Sequence, residues 1–288
     1  MSASEAARRR VWVCADDYGI APGVNAAICD LIGRGRINAT SVMVAAPSFE
    51  REAADRLARV AAEQSAAIGL HVTLTAPYRP LSRSFAPLKA GRFLNVGRTL
   101  VAAMLRQFDR SGLIAEVEAQ FAAFERTFEH APDFVDGHQH VHLFPQIGET
   151  VLTVTKARAP DAWVRQCGRT GPPMASVGDP KGPLIGALSR GFRRRAAALG
   201  LATNPAFAGT YTFGAAADFA ALFPAFLSGL PDRGLVMCHP GHVDAELERL
   251  DPLTHLRERE YAYLASDDFP QALAAAGVAL LRAPRQAA

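Results

Sequence analysis

The sequence predicts an α/β protein, a TIM-like (β/α) barrel of about seven or eight parallel strands. Short apolar segments alternate with longer segments whose apolar residues recur at helical spacing. Such alternation is typical of parallel strands joined by helical crossovers. Eight apolar segments favour a closed barrel over an open sheet, and 288 residues suit one barrel domain.

The predicted elements follow one another from the first apolar segment to the last. Pro22 stands at a first-turn position of the first predicted helix, and Ser48 is predicted to cap the second. The predicted strands are 11–15, 40–45, 67–72, 134–138, 163–167, 205–208, 235–238 and 278–282. The predicted helices are 22–33, 48–63, 114–130, 146–157, 184–199, 215–227, 252–265 and 269–276.

Two segments interrupt the alternation, and we interpret both as insertions that shape a pocket. Residues 75–112 are too long for a simple loop, and residues 168–186 are rich in Gly and Pro. Long segments after barrel strands commonly build binding pockets. We expect Phe85, Phe93 and Leu94 to be exposed, where they would cover the pocket or make a homodimer contact. No linker divides the chain, so residues 1–288 are predicted to form one domain.

Composition restricts the partners that we expect. The net charge of +3 is too small to indicate nucleic-acid binding, and the basic run at 190–195 is interpreted as a solvated helix face. No apolar stretch reaches the ~18 residues of a membrane span, and the N-terminus lacks the pattern of a signal peptide. The four cysteines form no CxxC pair. We therefore expect a cytoplasmic protein with buried free thiols, no stable membrane insertion and no nucleic-acid partner.

Acidic residues and histidines lie where the predicted strands end. Asp16 and Asp17 follow the first strand, His71 lies in the third, and His239 follows the seventh. The fourth strand leads into Asp136-Gly-His-Gln-His-Val-His142. If this segment stays extended, its carboxylate and three imidazoles project to one side, as metal binding, proton transfer or sugar contact would require.

The carboxyl ends of parallel barrel strands meet at one face, so these side chains are expected to converge. One carboxylate with two imidazoles suits one divalent metal ion. Zn²⁺ is the first choice, with Fe²⁺, Co²⁺, Ni²⁺ or Mg²⁺ as alternatives. Three protein ligands leave coordination positions open, which is typical of a catalytic metal site.

Four motifs resemble those of the YdjC-like carbohydrate deacetylases, a family that includes chitooligosaccharide and hopanoid-associated deacetylases. They are ADDYGIAPGVNAAI at 15–28, GLHVTLT at 69–75, VDGHQHVHLFP at 135–145 and CHPGHVD at 238–244. They occur in the family's order and span most of the chain. The resemblance implies that the barrel is irregular and polysaccharide-deacetylase-like. It also implies a metal-dependent hydrolase that removes an N-acetyl group from an amino sugar or oligosaccharide, whether free or lipid-linked.

Roles for individual residues follow from matching these motifs. The resemblance implies that Asp17, His71 and His138 are the metal ligands, Asp16 the general base and His239 the general acid.

The resemblance also implies positions that contact the substrate or support the ligands. Arg257 and Glu260 resemble a paired position late in the family, while His140, His142 and His242 are expected beside the substrate or the ligands. The aromatic residues expected to stack on a sugar are Tyr18, Tyr78 and Phe144. Two alternatives remain open at this point: a binuclear amidohydrolase acting on another amide, and a sugar-binding barrel without catalysis.

Overall fold

A computed structural model describes residues 9–168, 181–214 and 216–283, and these residues form one curled parallel sheet surrounded by helices. The sheet order is β5-β4-β3-β2-β1-β7-β6, and β8 pairs with the start of β1. The described strands are β1 (Arg9–Tyr18), β2 (Ala39–Val42), β3 (Ala67–Val72), β4 (Phe134–Gly137), β5 (Trp163–Val164), β6 (Phe207–Ala208), β7 (Leu235–Cys238) and β8 (Val278–Leu280).

Helices connect these strands on the outside of the sheet. Their bounds are α1 (Pro22–Gly33), α2 (Arg51–Gln64), α3 (Val96–Met104), α4 (Arg110–Phe128), α5 (Ile147–Arg158), α6 (Lys181–Ala198), α7 (Phe219–Leu227), α8 (Ala245–Leu250), α9 (His255–Ala265) and α10 (Asp268–Ala275). A 3₁₀ segment at His138–Leu143 follows β4 directly.

The sheet curls until its two edges approach each other. The backbone N–H of Val164 in β5 donates to the carbonyl of Ala202, and Val164 bridges Thr203 in parallel, just before β6. Successive parallel strands twist in one sense, which carries the edges of such a sheet around toward closure. The apolar core lies inside the sheet and between the sheet and its helices, as expected for a barrel.

The fold class and all eight predicted strands are confirmed, with ends that differ by a few residues. Two helices were not predicted. Helix α3 lies inside the 75–112 insertion, where Asn95 caps it by accepting from the N–H of Arg98. Helix α8 is capped by Asp244, whose carboxylate accepts from two backbone N–H groups.

Three details of the prediction are wrong. Ser48 does not cap α2, because its hydroxyl donates to Glu246. Phe85 and Phe93 are buried rather than exposed, and they pack on each other with ring centroids 5.0 Å apart. Leu94 is half-buried. The 75–112 insertion therefore has its own small apolar core.

The second insertion is described only in part: residues 169–180 lie outside the described residues, and α6 begins at Lys181. The arginines of the 190–195 run are exposed on α6, as predicted. All four cysteines are free and buried. Among the described residues, no helix combines the length and the apolarity needed to cross a lipid bilayer.

Candidate active site at the carboxyl ends of the strands

Strand pairing brings the predicted site residues to one end of the sheet. Ala15 in β1 pairs with Cys238 in β7, so Asp16 and His239 come next on adjacent strands. On the other side of β1, His71 in β3 pairs with Asp136 in β4. Neighbouring strands lie about 4.8 Å apart, so side chains at these ends lie within contact distance of one another.

A bulge in β1 explains how two consecutive carboxylates serve the same site. Ala15 pairs with Thr40 and Tyr18 pairs with Val42, so β1 carries one residue more than β2 over this stretch. Asp17 lies in the bulge with a φ of 71°, a left-handed conformation that Asp tolerates better than most residues. Consecutive strand residues normally face opposite sides, and the bulge redirects Asp17.

Asp17, His71 and His138 form a compact and buried cluster. Asp17 Oδ1 lies 2.9 Å from His138 Nδ1 and 3.3 Å from His71 Nε2. All three donor atoms lie within 4.8 Å of one another. The exposed fractions are 2% for Asp17, 1% for His71 and 8% for His138. One carboxylate oxygen and two ring nitrogens therefore face a common point.

Asp136 fixes the other nitrogen of His71. Its Oδ1 lies 2.6 Å from His71 Nδ1, and the Ser41 hydroxyl lies 2.9 Å from the same nitrogen. Burial alone would lower the pKa of His71, but the Asp136 carboxylate outweighs it and raises the pKa to about 10. A carboxylate behind a ligating imidazole orients the ring and strengthens it as a ligand.

The second oxygen of Asp17 is held by a buried arginine. Arg257 Nη2 donates to Asp17 Oδ2 and to Asp251 Oδ2, both at 2.6 Å. Burial opposes ionisation of Asp17, yet His138 and Arg257 together hold its pKa well below the usual range. Because Arg257 occupies Oδ2, only Oδ1 faces the two imidazoles.

Asp16 has a different environment one residue earlier. Arg165 donates to both oxygens of Asp16, from Nη1 to Oδ2 and from Nη2 to Oδ1, each at 2.6 Å. Arg165 Nη2 also lies 2.6 Å from Asp136 Oδ2. Burial opposes ionisation of Asp16, but the Arg165 guanidinium keeps its pKa below the usual range. Asp16 is therefore ionised at neutral pH.

His239 is anchored through its backbone. Its N–H donates to Glu260 Oε2 at 2.6 Å, and Glu260 Oε1 accepts from the Tyr211 hydroxyl at 2.6 Å. Burial raises the pKa of Glu260. The ring of His239 has a buried Nδ1 without a hydrogen-bond partner. Glu260 thus holds the backbone of His239 in place. Among the described residues, Glu260 makes no hydrogen bond to the ring nitrogens of His239.

The expected row of imidazoles on one extended face is wrong. The strand ends at Gly137, and Gln139 and His140 adopt positive φ values of 53° and 59° inside the 3₁₀ segment. The turn sends His138 toward Asp17 and sends His142 to the carbonyl of Arg165, 2.9 Å from its Nε2.

The other two histidines that were expected beside the substrate or the ligands have separate surroundings. His140 lies beside Cys167, with Nδ1 3.6 Å from its sulfur, and burial lowers the pKa of His140 to about 3. The ring of His242 packs against Tyr261 of α9, with centroids 4.3 Å apart.

The three aromatic residues expected to stack on a sugar are all buried. The Tyr18 hydroxyl donates to the carbonyl of Ala53 in α2, so its side chain packs away from the Asp17 cluster. Phe144 is also enclosed. Tyr78 meets the ring of His138 edge-on, with centroids 5.8 Å apart, and its buried hydroxyl has no hydrogen-bond partner. Of the three, only Tyr78 contacts a member of the cluster.

The cluster fits a divalent metal ion in both donor type and charge. Two ligands of a tetrahedral zinc ion, each about 2.0–2.1 Å from it, lie about 3.3 Å apart, close to the separations seen around Asp17 Oδ1. The carboxylates of Asp16, Asp17, Asp136 and Asp251 outnumber the guanidinium groups of Arg165 and Arg257 by two. One divalent cation would balance that excess.

A second group of metal-type side chains does not fit a metal. Cys14, Asp16 and Asp136 also lie within 4.8 Å of one another. However, Arg165 Nη2 contacts all three, at 3.0 Å from the Cys14 sulfur and 2.6 Å from each carboxylate. The guanidinium group already supplies the positive charge at this point.

Several supporting residues were missed by sequence reasoning. Arg165, Asp251 and Tyr211 belong to no motif that we had singled out. Arg165 carried a usable signal, because it is a charged residue inside the predicted strand 163–167, and a fully buried arginine needs carboxylate partners. Asp251 and Tyr211 lie in loops, where polar residues are common and carry no such signal.

Comparison with known proteins identifies a solved structure that shares this fold. A solved structure from Enterococcus faecalis V583, provisionally described as a cellobiose-phosphate cleavage protein, superposes with a TM-score of 0.72. The match covers 96% of this chain and 98% of that one at 20% sequence identity, so it shows that the fold is shared.

Two curated relatives match about half of the chain. A human carbohydrate deacetylase is 29% identical over 154 residues, which are 52% of this chain and 46% of the relative. A chitooligosaccharide deacetylase from Yersinia pestis (strain Pestoides F) is 30% identical over 149 residues, or 51% of this chain and 56% of the relative. The matched segment thus spans about half the length of each relative. The model of the YdjC-like protein family matches residues 10–275, and the chain therefore belongs to that family.

Proposed function

We propose that this protein is a metal-dependent hydrolase that removes the N-acetyl group from an amino sugar or oligosaccharide and releases acetate. The observation that carries the proposal is the convergence of Asp17, His71 and His138, with Asp16 and His239 on adjacent strand ends beside them. The names of the curated relatives, which are carbohydrate and chitooligosaccharide deacetylases, support the same reaction.

Asp17 Oδ1, His71 Nε2 and His138 Nδ1 would hold the metal ion, and their donor set favours zinc over harder cations such as magnesium. A divalent ion at this point supplies Lewis acidity, which polarises a carbonyl group and makes water a stronger acid. Arg257 leaves Asp17 a single free oxygen, so the protein provides three donor atoms rather than four. A metal ion held by these three donors would leave room beside it for water and substrate.

Asp16 is placed to act as the general base. Its carboxylate is ionised, it is held on both oxygens by Arg165, and it precedes the ligand Asp17 by one residue. The ion pair fixes the carboxylate in position and lowers its basicity. This lowered basicity weakens Asp16 as a base, so the case for the role rests on its position next to the ligand Asp17 and on the family resemblance.

His239 is placed to donate a proton to the leaving amine. It follows β7 at the level of Asp16, and Glu260 holds its backbone in place. Imidazole side chains commonly serve as proton donors and acceptors in catalysis. Asp16 and His239 would thus serve the two sides of one scissile amide.

The proposal also includes the form of the substrate and the location of the protein in the cell. The sugar is either free or lipid-linked, and the protein works in the cytoplasm. A homodimer and a single catalytic domain over residues 1–288 remain predictions from the sequence. The binuclear amidohydrolase is less favoured, because the second cluster of potential ligands among the described residues already contains the Arg165 guanidinium.

The test is acetate release from a panel of N-acetylated sugars by protein reconstituted with zinc, together with metal analysis. We expect acetate from at least one N-acetylglucosamine oligosaccharide and close to one metal ion per chain. About two metal ions per chain would favour the binuclear alternative. Sugar binding without acetate release, at full metal loading, would favour the non-catalytic alternative.

A further inference from the structure

One aromatic residue beside the proposed acid remains exposed. Phe213 lies between β6 and α7, and its ring meets that of His239 edge-on, with centroids 5.6 Å apart and an interplanar angle of 80°. Its exposed fraction is 39%, whereas those of Tyr18, Tyr78 and Phe144 do not exceed 6%. Among the large apolar side chains that are exposed in the described ranges, Phe213 is the only aromatic one.

Phe213 is held in place by the same residues that hold His239. Its ring packs on Tyr211 at 4.4 Å between centroids, and the Tyr211 hydroxyl donates to Glu260. Glu260 in turn accepts from the backbone N–H of His239. Phe213 and His239 are therefore fixed relative to each other through two neighbours. Such an arrangement suits recognition, because a positioned ring loses little conformational freedom when a ligand stacks on it.

The chemistry at His239 indicates what would lie against Phe213. This step rests on the proposed function, in which His239 protonates the amine that leaves. That amine is attached to carbon 2 of a sugar ring, so this ring must lie next to His239. The C–H face of a pyranose is apolar and matches the face of an aromatic ring. An exposed and anchored phenyl group at this position offers such a face.

We infer that Phe213 is a specificity-determining residue, a stacking platform for the pyranose ring that carries the acetamido group. It contributes binding energy for sugars and none for acyclic acetamides, which lack the apolar C–H face of a pyranose ring. The proposal therefore separates recognition of the sugar, at Phe213, from the chemistry at Asp16, Asp17 and His239.

The experiment measures binding of N,N′-diacetylchitobiose to zinc-loaded protein by isothermal titration calorimetry. The Asp16→Asn background is used throughout so that the disaccharide is not consumed. We expect Phe213→Ala to weaken the affinity about tenfold and Phe213→Tyr to preserve it. The matched control is Leu199→Ala, which removes a side chain of nearly equal exposure, 38%, and should leave the affinity unchanged.

Unchanged affinity in Phe213→Ala, or an equal loss in Leu199→Ala, would overturn the proposal. So would a failure of the disaccharide to bind the Asp16→Asn protein. Phe213-dependent binding of the disaccharide without acetate release from it would support the stacking platform while refuting the proposed deacetylation.

Discussion

The surroundings of Asp16 and Asp17 differ more than their adjacency in the chain suggests. Asp16 has both oxygens bound by one guanidinium group, that of Arg165. Asp17 has one oxygen bound by Arg257, while the other faces His71 and His138. Both carboxylates are buried and ionised. The two carboxylates therefore do not differ in burial or in charge. They differ in the number of oxygens that no arginine binds, which is none in Asp16 and one in Asp17.

This difference teaches how one dipeptide can supply two kinds of chemistry. A carboxylate whose two oxygens both pair with one guanidinium group is less available to a metal ion than a carboxylate with one oxygen outside any arginine pair. A carboxylate with one free oxygen and two imidazoles beside it is arranged for ligation. Under the proposed function, the arginines thus assign the roles of base and ligand. Breaking a buried pair is costly, about 3–5 kcal/mol, so the assignment is stable.

The largest expected effect comes from exchanging each carboxylate in turn. Asp17→Asn should lose the metal and all turnover, because an amide is a poor ligand for zinc. Asp16→Asn should keep the metal near the wild-type level and lower turnover about 10²–10⁴-fold, the usual contribution of a general base. Metal analysis and acetate release on the same preparations separate the two effects.

Two outcomes would contradict that contrast. Full activity in the Asp16→Asn variant would show that Asp16 is not the general base. Equal loss of metal in both variants would mean that the two carboxylates act as one unit, and thermal unfolding would show whether either variant has lost its fold.

Arg257 provides a smaller and sharper test of the same comparison. Arg257→Lys keeps the charge but loses the Nε donor that ties the guanidinium group to the Leu253 carbonyl, so the cation is no longer fixed between Asp17 and Asp251. We expect metal affinity to fall about 10–100-fold, as is typical when a group that orients a ligand is altered. Competition with a chromophoric chelator measures it. The control is Arg36→Lys, an arginine paired with Asp267 at the surface, which should leave the affinity unchanged.

The smallest expected effect is the release of a proton from His71 when the metal ion binds. With a pKa of about 10, His71 is protonated in the metal-free protein at pH 8 and must lose that proton to bind a metal. Metal binding should therefore release close to one proton at pH 8, and affinity should rise about tenfold per pH unit up to about pH 10. Calorimetry in two buffers of different ionisation enthalpy counts the proton. No release at pH 8 would contradict the ion pair with Asp136.

A rise in pH should strengthen metal binding but should lower the stability of the metal-free fold. The folded-state pKa of His71 lies above the ordinary value of 6.5. Its protonated form therefore stabilises the metal-free fold fully below pH 6.5, and this contribution is lost as the pH rises through about 10. Denaturant unfolding of the metal-free protein, compared with that of the His71→Gln variant, would measure this pH-dependent contribution to stability.

Sequence patterns were sufficient for the strands and for the strand ends at which the acidic residues and histidines lie, whereas the ligand roles of Asp17, His71 and His138 came from the family resemblance and remain a proposal. Period and apolarity predict strands reliably when each is buried on both faces, as β1, β3 and β7 are. The ends of those strands then indicated Asp17, His71 and His239. The 3₁₀ turn after Gly137 was missed because a run of alternating histidines has the same spacing in an extended chain and in a tight turn.

By itself, the sequence determined the barrel, the end of the sheet at which the chemistry lies, and the types of donor atom available there. Only the tertiary structure decided which carboxylate keeps a free oxygen, because Arg165 and Arg257 reach Asp16 and Asp17 across 149 and 240 residues of chain. It also decided which aromatic ring stays open, Phe213 rather than Tyr18 or Tyr78. Local spacing sets the direction of side chains along one strand, whereas pairing and exposure depend on contacts between distant segments.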